Sequence, residues 1–284
     1  MATEFDAWLG RVEVAEDVIA PAQARRLAAT LDASCATPPG DLRAGAALPP
    51  LWHWIGFLPE TPMSGLGRDG HAKRGGFLPP VPLERRMWAG GRLTFHGADL
   101  IIGAPVQKRA EIVKISEKTG GAGRMVFVTV EQRLSGPDGL AVTEELDIVY
   151  IAMPERFSPP PPVAAPAAPL WRETAETGPV ALFRYSACTF NGHRIHYDLD
   201  YAREIEKYPG LVVHGPLQAT LMLEAARRRA PGRRVARFAF RGMRPVFHFD
   251  TVSILGEAEA GGEQAVCTTT GEGHVGMQGR IGWA

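Results

Sequence analysis

Apolar and polar positions change rhythm several times along the 284-residue chain. The Ala-rich stretch from Ala15 to Ala33 predicts a helix, with Pro21 tolerable only near its start. Residues 40–80, rich in Gly and Pro, predict an irregular segment. Its aromatic clusters, Trp52-His53-Trp54 and Phe57, allow a short apolar element around Leu51–Leu58. From residue 92 the pattern becomes that of strands. Val106–Ser116, Met125–Leu134 and Val142–Met153 are rich in Val, Ile, Thr and Tyr, and the turns Gly120-Gly121-Ala122-Gly123 and Gly136-Pro137-Asp138-Gly139 separate them. The order then repeats. Leu182–Ala187 predicts a strand, Asp200–Lys207 a short helix and Pro216–Arg229 a longer one opened by Gly215. Strands follow at Val235–Phe240, Thr251–Glu259, Gln264–Thr270 and Val275–Trp283. Each half therefore predicts an α+β unit, a helix with a strongly curved antiparallel sheet, although no residue-level repeat is visible.

The Pro/Ala-rich tract Ser158–Pro169 favours extended polyproline II and reads as a semi-rigid spacer. It divides the chain into residues 1–155, a linker at 156–170 and residues 171–284. Residues 1–155 carry 16 basic and 19 acidic side chains and the remainder 15 and 12, so the halves differ mildly in sign and the whole is neutral. Neutrality argues against a general nucleic-acid binder. No apolar run approaches the ~20 residues of a membrane span. The acidic start Met1-Ala2-Thr3-Glu4-Phe5-Asp6 lacks the basic-then-apolar pattern of a leader, so a cytoplasmic protein with no membrane association is expected. The three cysteines, Cys35, Cys188 and Cys267, are too scattered for a disulfide framework or a CxxC pair.

The densest polar cluster is Thr189-Phe190-Asn191-Gly192-His193-Arg194-Ile195-His196-Tyr197-Asp198. Such a loop can aim several donors at one point. It can equally be a hydrogen-bonded turn that caps the next helix through Asp198 or Asp200. His193 and His196 have no third ligand at suggestive spacing, so no metal is expected. A second candidate is Val213-His214-Gly215-Pro216-Leu217-Gln218, where free backbone N–H groups at a helix start could polarise a carbonyl; an ordinary helix start is the plain alternative. A third is the run Arg227, Arg228, Arg229, Arg233, Arg234, Arg237, Arg241 and Arg244, with no acid among them. A helix C-terminus explains the first three, whereas Arg237, Arg241 and Arg244 on the next strand suggest phosphate binding. Phosphate-loop, dinucleotide, GxSxG and HExxH motifs are missing from the sequence. Cys188 reads as a structural cysteine within an apolar strand.

Together these pieces resemble the MaoC-like hot-dog hydratases. That family's usual loop, Asp-x-Asn-Pro-Ile-His, pairs an aspartate and a histidine five residues apart; here Ile195 and His196 match, but Asn191 stands for the aspartate and His193-Arg194 for Asn-Pro. The string Thr-Phe-Asn-x-His-Arg-Ile-His-Tyr-Asp, with Arg85-Arg86-Met87-Trp88-Ala89-Gly90-Gly91 in the first half, is similar to a particular branch. That branch includes mesaconyl-C4-CoA (3-methylfumaryl-CoA) hydratase and the mitochondrial-type 3-hydroxyacyl-thioester dehydratases. The resemblance implies a double hot-dog, two curved antiparallel sheets each with a central helix. It also implies that only the second half keeps catalytic residues while the first shapes the pocket.

An amide cannot take a proton from water, so the resemblance makes His196 the main acid/base, with Asn191 orienting water or imidazole and Asp198 a reserve carboxylate. Gly215 N–H would stabilise the enolate-like charge as water adds to C3 of a 2-enoyl thioester. His193 and His214 belong to the expected binding site, and Arg237, Arg241 and Arg244 would hold coenzyme A phosphates or an acidic carrier protein. A substrate with a free carboxylate, such as mesaconyl-C4-CoA, calls for a cation, for which Arg194, Arg85 and Arg86 are candidates. Coenzyme A enters as part of the substrate, and no other cofactor is expected. Alternatives are a 3-hydroxyacyl-carrier-protein dehydratase, a non-catalytic acyl-CoA-binding module and a thioesterase. A monomer whose halves mimic a dimer and a true homodimer are both open.

Overall fold

The computed structural model describes residues 4–120 and 123–284. The first half supplies β1 (Val12–Val18), α1 (Pro21–Leu31), β2 (Arg85–Phe95), β3 (Pro105–Gly120), β4 (Gly123–Gly136) and β5 (Gly139–Ile151). The second supplies β6 (Trp171–Ala175), α2 (Pro179–Thr189), α3 (Gly215–Arg229), β7 (Val235–Gly242), β8 (Val252–Gly256), β9 (Glu263–Thr269) and β10 (Val275–Trp283). The strands form one antiparallel sheet in the order β1-β3-β4-β5-β2-β7-β10-β9-β8-β6. Followed inward from the two edges, β1-β3-β4-β5-β2 and β6-β8-β9-β10-β7 are the same topology, strand for strand. The duplication suggested by the repeating pattern is thus one of architecture.

The halves join where the equivalent strands β2 and β7 pair, from Gly90↔Arg241 to Thr94↔Arg237. At the Gly90-Gly91 end of this seam there is no room for a side chain without a shift: a Cβ on Gly90 would lie 2.5 Å from Phe240 O, and one on Gly91 2.8 Å from Phe240 Cζ. The Gly90-Gly91 pair therefore merges two expected sheets into one.

Three local expectations are corrected. Ala15–Ala33 is not one helix: alternation in Val12–Val18 makes an edge strand, and Pro21 at the first helical position opens α1. Leu182–Ala187 is not a strand but part of α2, started by Gly178-Pro179 and burying Leu182, Tyr185 and Ser186 at helical spacing. Cys188 accordingly lies on a helix, 3.8 Å from Thr30 Oγ1. The short helix expected over Asp200–Lys207 is a single π turn, Tyr201–Ile205. In addition, the strand pattern begins at Arg85 rather than at residue 92. The turn at Gly121-Ala122 lies outside the described residues.

The halves differ in their centres. In the second, α3 buries every residue from Leu217 to Ala226 against the sheet. In the first, residues 32–84 hold only short 3-10 turns, among them Trp52–Ile55. Trp52 is fully buried and donates to α3 through Nε1 to Glu224 Oε1 at 3.1 Å. One hydrophobic core runs through both halves, from Leu27 and Trp52 to Leu221 and Ile281. With no long helix on its side, the first half leaves a cavity of about 2220 Å³ between the sheet, the 52–72 segment and the start of α3. The linker lies at its rim: Arg244 donates to Pro160 O, and Val275 N–H donates to Val163 O at 2.8 Å. Among the described residues no helix is long and apolar enough to cross a membrane.

Candidate active site

The loop between α2 and the π turn carries His193 and His196 into the cavity wall. Its shape is set locally. Asn191 Oδ1 accepts the His193 backbone N–H at 3.0 Å, an Asx turn, and Tyr197 OH donates to Gly192 O at 3.0 Å. Asp198 accepts the Tyr201 N–H at 3.0 Å and two bonds from Arg194, so it caps the following turn as the plain reading anticipated. Asn191 and Asp198 are thus engaged within the loop itself.

His196 is buried and donates Nδ1–H to Val212 O at 2.7 Å. A carbonyl can only accept, so this bond fixes the tautomer and leaves Nε2 with its lone pair. Its ring stacks on that of His214, centroids 3.6 Å apart and planes at 19°. Burial, helped by the neighbouring His214 and His193, holds the His196 imidazole well below the ordinary histidine range. His214 is fully buried, bonds Ser186 Oγ through Nε2 at 2.8 Å, and is pushed down to about 3 by burial. It stands behind His196 and does not line the cavity.

Directly after His214, α3 begins. Gly215 lines the cavity, and its first-turn N–H has no intrahelical acceptor. A Cβ there would meet nothing nearer than Met277 Cε at 3.6 Å, so the glycine keeps space open rather than satisfying packing. Gln218 ties this helix start to the sheet: Thr268 Oγ1 donates to Gln218 Oε1 at 2.7 Å and accepts from Met277 N at 2.9 Å. The His196 ring and the positive end of the helix dipole therefore face one space.

The carboxylate missing from the loop arrives from elsewhere. Glu206, just after the π turn, accepts His193 Nε2–H at 3.0 Å and Arg85 Nε–H at 3.0 Å. Burial acts to raise its carboxyl, but His193 and Arg85 together hold it below the usual range. A second pair comes from the first half, where Asp69 Oδ2 accepts His71 Nδ1–H at 2.9 Å and the His71 ring lies 4.3 Å from that of His193. Burial pushes His71 down to about 4. Burial acts the other way on Asp69, but its bonds with His71 keep the carboxyl well below the usual range. Arg194 N–H donates to Asp69 O at 3.0 Å, and Gly70 packs so closely that a Cβ would lie 1.9 Å from Gly192 O. Asp69, His71 and Glu206 escaped the sequence reading. Only the Asp-Gly-His turn within the Gly/Pro-rich segment signals the first pair, and nothing in the spacing ties Glu206 to His193.

Asp69, His71 and His193 bring three donor atoms within 4.8 Å of one another, a spacing a cation could use. His71 Nδ1 bonds Asp69 and His193 Nε2 bonds Glu206. Of the arginine run, Arg227 pairs with Glu224, Arg228 and Arg229 with Glu173, Arg233 with Glu259 and Arg234 with Asp99. Arg241 and Arg244 line the cavity and form no ion pair among the described residues; Arg237 is exposed and does not line it. Arg194 is held by Asp198 and lies over Tyr201.

Residues 51–248 match the family model of hydroxyacyl-thioester dehydratase type 2. The chain is 45% identical over 255 residues to mesaconyl-C(4)-CoA hydratase of Chloroflexus aurantiacus, covering 89% of each protein. Among solved structures it is similar to a MaoC-like dehydratase from Phytophthora capsici, with TM-score 0.72, 15% identity and 99% of each chain covered. It is also similar to a Mycobacterium tuberculosis protein described as having a double hotdog fold, with TM-score 0.58, 14% identity and 96% and 95% of the two chains covered. The two matching half-sheets and the histidine loop beside α3 are thus those of a double hot-dog, and the chain belongs to the hydroxyacyl-thioester dehydratase type 2 family.

Proposed function

We propose that this protein reversibly adds water to a 2-enoyl-CoA thioester, and that its substrate is mesaconyl-C4-CoA, hydrated to citramalyl-CoA. One observation carries the reading: the Val212 carbonyl fixes His196 Nδ1–H, leaving Nε2 as a base in the cavity that the Gly215 N–H also faces. The 45% identity to a mesaconyl-C(4)-CoA hydratase supports the choice of substrate.

The thioester carbonyl accepts the Gly215 N–H, and the helix dipole steadies the charge that develops on its oxygen as water attacks C3. His196 Nε2 takes a proton from that water, and the enolate carbon C2 is protonated to complete the addition. Dehydration retraces the path. His193, oriented by Glu206, closes one side of the pocket, and His214 supports His196 from behind. Arg241 and Arg244 receive the coenzyme A phosphates at the rim beside Pro160. In this reading residues 171–284 carry the acid/base chemistry, and residues 1–155 complete the pocket.

A second reading has its own support. The cavity's far wall is apolar, with Met125, Phe127, Leu134, Leu146 and Ile148, which suits a long acyl chain as in a 3-hydroxyacyl-carrier-protein dehydratase. The test is incubation with mesaconyl-C4-CoA, itaconyl-CoA, crotonyl-CoA and a long-chain trans-2-enoyl-CoA, followed by mass spectrometry. Gain of one water by the branched dicarboxylic thioesters supports the first reading, and preference for the long chain supports the second. If no thioester gains water, both hydratase readings fail.

A further inference from the structure

We propose that Arg86 is the residue that reads a free carboxylate on C3 of the acyl group and so selects dicarboxylic thioesters. The inference rests on the acyl-CoA reading above and adds its specificity determinant. In 3-methylfumaryl-CoA the carboxylate sits on the carbon that receives water. Its partner must therefore lie at the catalytic end of the cavity, not at the rim where Arg241 and Arg244 sit.

Four arginines sit near the histidine loop, and one of them, Arg68, is exposed to solvent. Arg194 is spent on Asp198 and on Arg68 O. Arg85 is buried, its charge answered by Glu206 and its guanidinium 4.2 Å from the Tyr208 ring centroid. Arg86 also lines the cavity and forms no ion pair among the described residues. The groups that feel its charge are Asp69, His71 and Tyr150, its register partner on β5. No ion pair joins Asp69 to it; Asp69 Oδ1 accepts the His71 backbone N–H and Oδ2 the His71 ring N–H. His71 in turn touches the His193 ring, which lies 5.5 Å from that of His196. A guanidinium without an ion pair among the described residues is thus held on the Asp69–His71 side of the His193–His196 pair.

A second observation points to an acidic ligand in the same wall. Arg85 Nη2 is buried without a hydrogen-bond partner, although the residue lines the cavity. A buried donor left unpaired is costly, and a substrate carboxylate would satisfy it. Arg86 then supplies the charge and Arg85 an additional N–H. Pairing the C3 carboxylate with a guanidinium also withdraws electron density from C3, which favours attack by water there.

The test compares succinyl-CoA with butyryl-CoA, saturated thioesters that differ at C3 by carboxylate against methyl and undergo no hydration. Binding of both to wild type, Arg86→Met and Arg86→Lys is measured by calorimetry. Wild type is expected to bind succinyl-CoA at least tenfold more tightly. Arg86→Met should abolish that preference with butyryl-CoA affinity held within threefold, and Arg86→Lys should restore part of it. Equal affinities in wild type, or a preference that survives in Arg86→Met, overturns the proposal. If Arg86→Met does not fold, Arg86→Lys decides: an unaltered preference ratio overturns the assignment and a reduced one supports it. The hydration panel is scored separately, so loss of the catalytic reading and loss of this inference give different results.

Discussion

The rings of His196 and His214 lie face to face, centroids 3.6 Å apart, with the Val212 carbonyl on the Nδ1 of one and the Ser186 hydroxyl on the Nε2 of the other. Two stacked, buried imidazoles cannot both carry charge cheaply, and both are held far below the ordinary histidine range. His196 at the helix start is therefore held neutral across the physiological range.

Activity should accordingly persist into acid. A base must be unprotonated to act, and a depressed value extends that state downward. The acid limb of kcat/KM is expected well below the ~6.5 of an unperturbed histidine. His196→Ala should lower kcat by about 10²–10⁴, the range typical of general acid–base catalysis. A limb near pH 6.5, or a His196→Ala variant with wild-type turnover, would remove His196 from that role.

Stability should move the same way with pH. The folded protein keeps His214 neutral down to about 3, while the unfolded chain takes up a proton near 6.5. The stabilisation is complete above about pH 6.5 and is lost as pH falls, with a slope of up to about 1.4 kcal/mol per unit. Thermal melts between pH 7.5 and 4.5 should show a falling Tm, and His214→Gln should flatten the decline. A Tm independent of pH in that window would contradict it.

Glu206→Gln should damage the fold as well as the site. It strips the buried Arg85 guanidinium of its counter-ion, and breaking a buried pair from one side costs about 3–5 kcal/mol. Denaturant titration measures the loss. A change below about 1 kcal/mol would mean that Arg85 and His193 find other partners.

Gly70→Ala and Gly75→Ala form an informative pair, since both positions have φ near +89°. At Gly75 the new methyl meets only Pro80 Cβ at 3.7 Å, whereas at Gly70 it would overlap Gly192 O at 1.9 Å. Gly75→Ala is expected to cost about 1–2 kcal/mol of backbone strain. Gly70→Ala should cost more and also lower turnover, because it pushes the Asp69–His71 turn off the catalytic loop. Equal effects on turnover would deny that the turn matters to the site.

Asn191→Asp should not restore a two-residue base. The position accepts the His193 N–H, which a carboxylate can do as well, so Tm and kcat should stay near wild type. Asn191→Ala should lose about 1 kcal/mol as the turn loosens. A large rise in kcat for Asn191→Asp would instead show a side chain free to reach the substrate.

Strands β3–β5 and β7–β10, the long buried helix, the histidine loop and the family are legible in the sequence alone. Each rests on signals a few residues apart: alternation, Gly-Pro helix starts, and the string from Thr189 to Asp198. Where two local signals competed, burial of one face decided for the helix at Pro179–Thr189, and ladder pairing with β3 decided for the exposed strand at Val12–Val18. Only the tertiary structure decided which charges are free. In the arginine run, Arg227–Arg229, Arg233 and Arg234 are paired, four of them with acids far along the chain at Glu173, Glu259 and Asp99, while Arg241 and Arg244 form no ion pair among the described residues. It also brought Asp69, His71 and Glu206 to His193. The physical reason is that ion pairs and hydrogen bonds form between surfaces the β2–β7 seam brings together. Residues 52–72 fill the place of a missing helix, and no pattern along the chain encodes which side chain they will meet there.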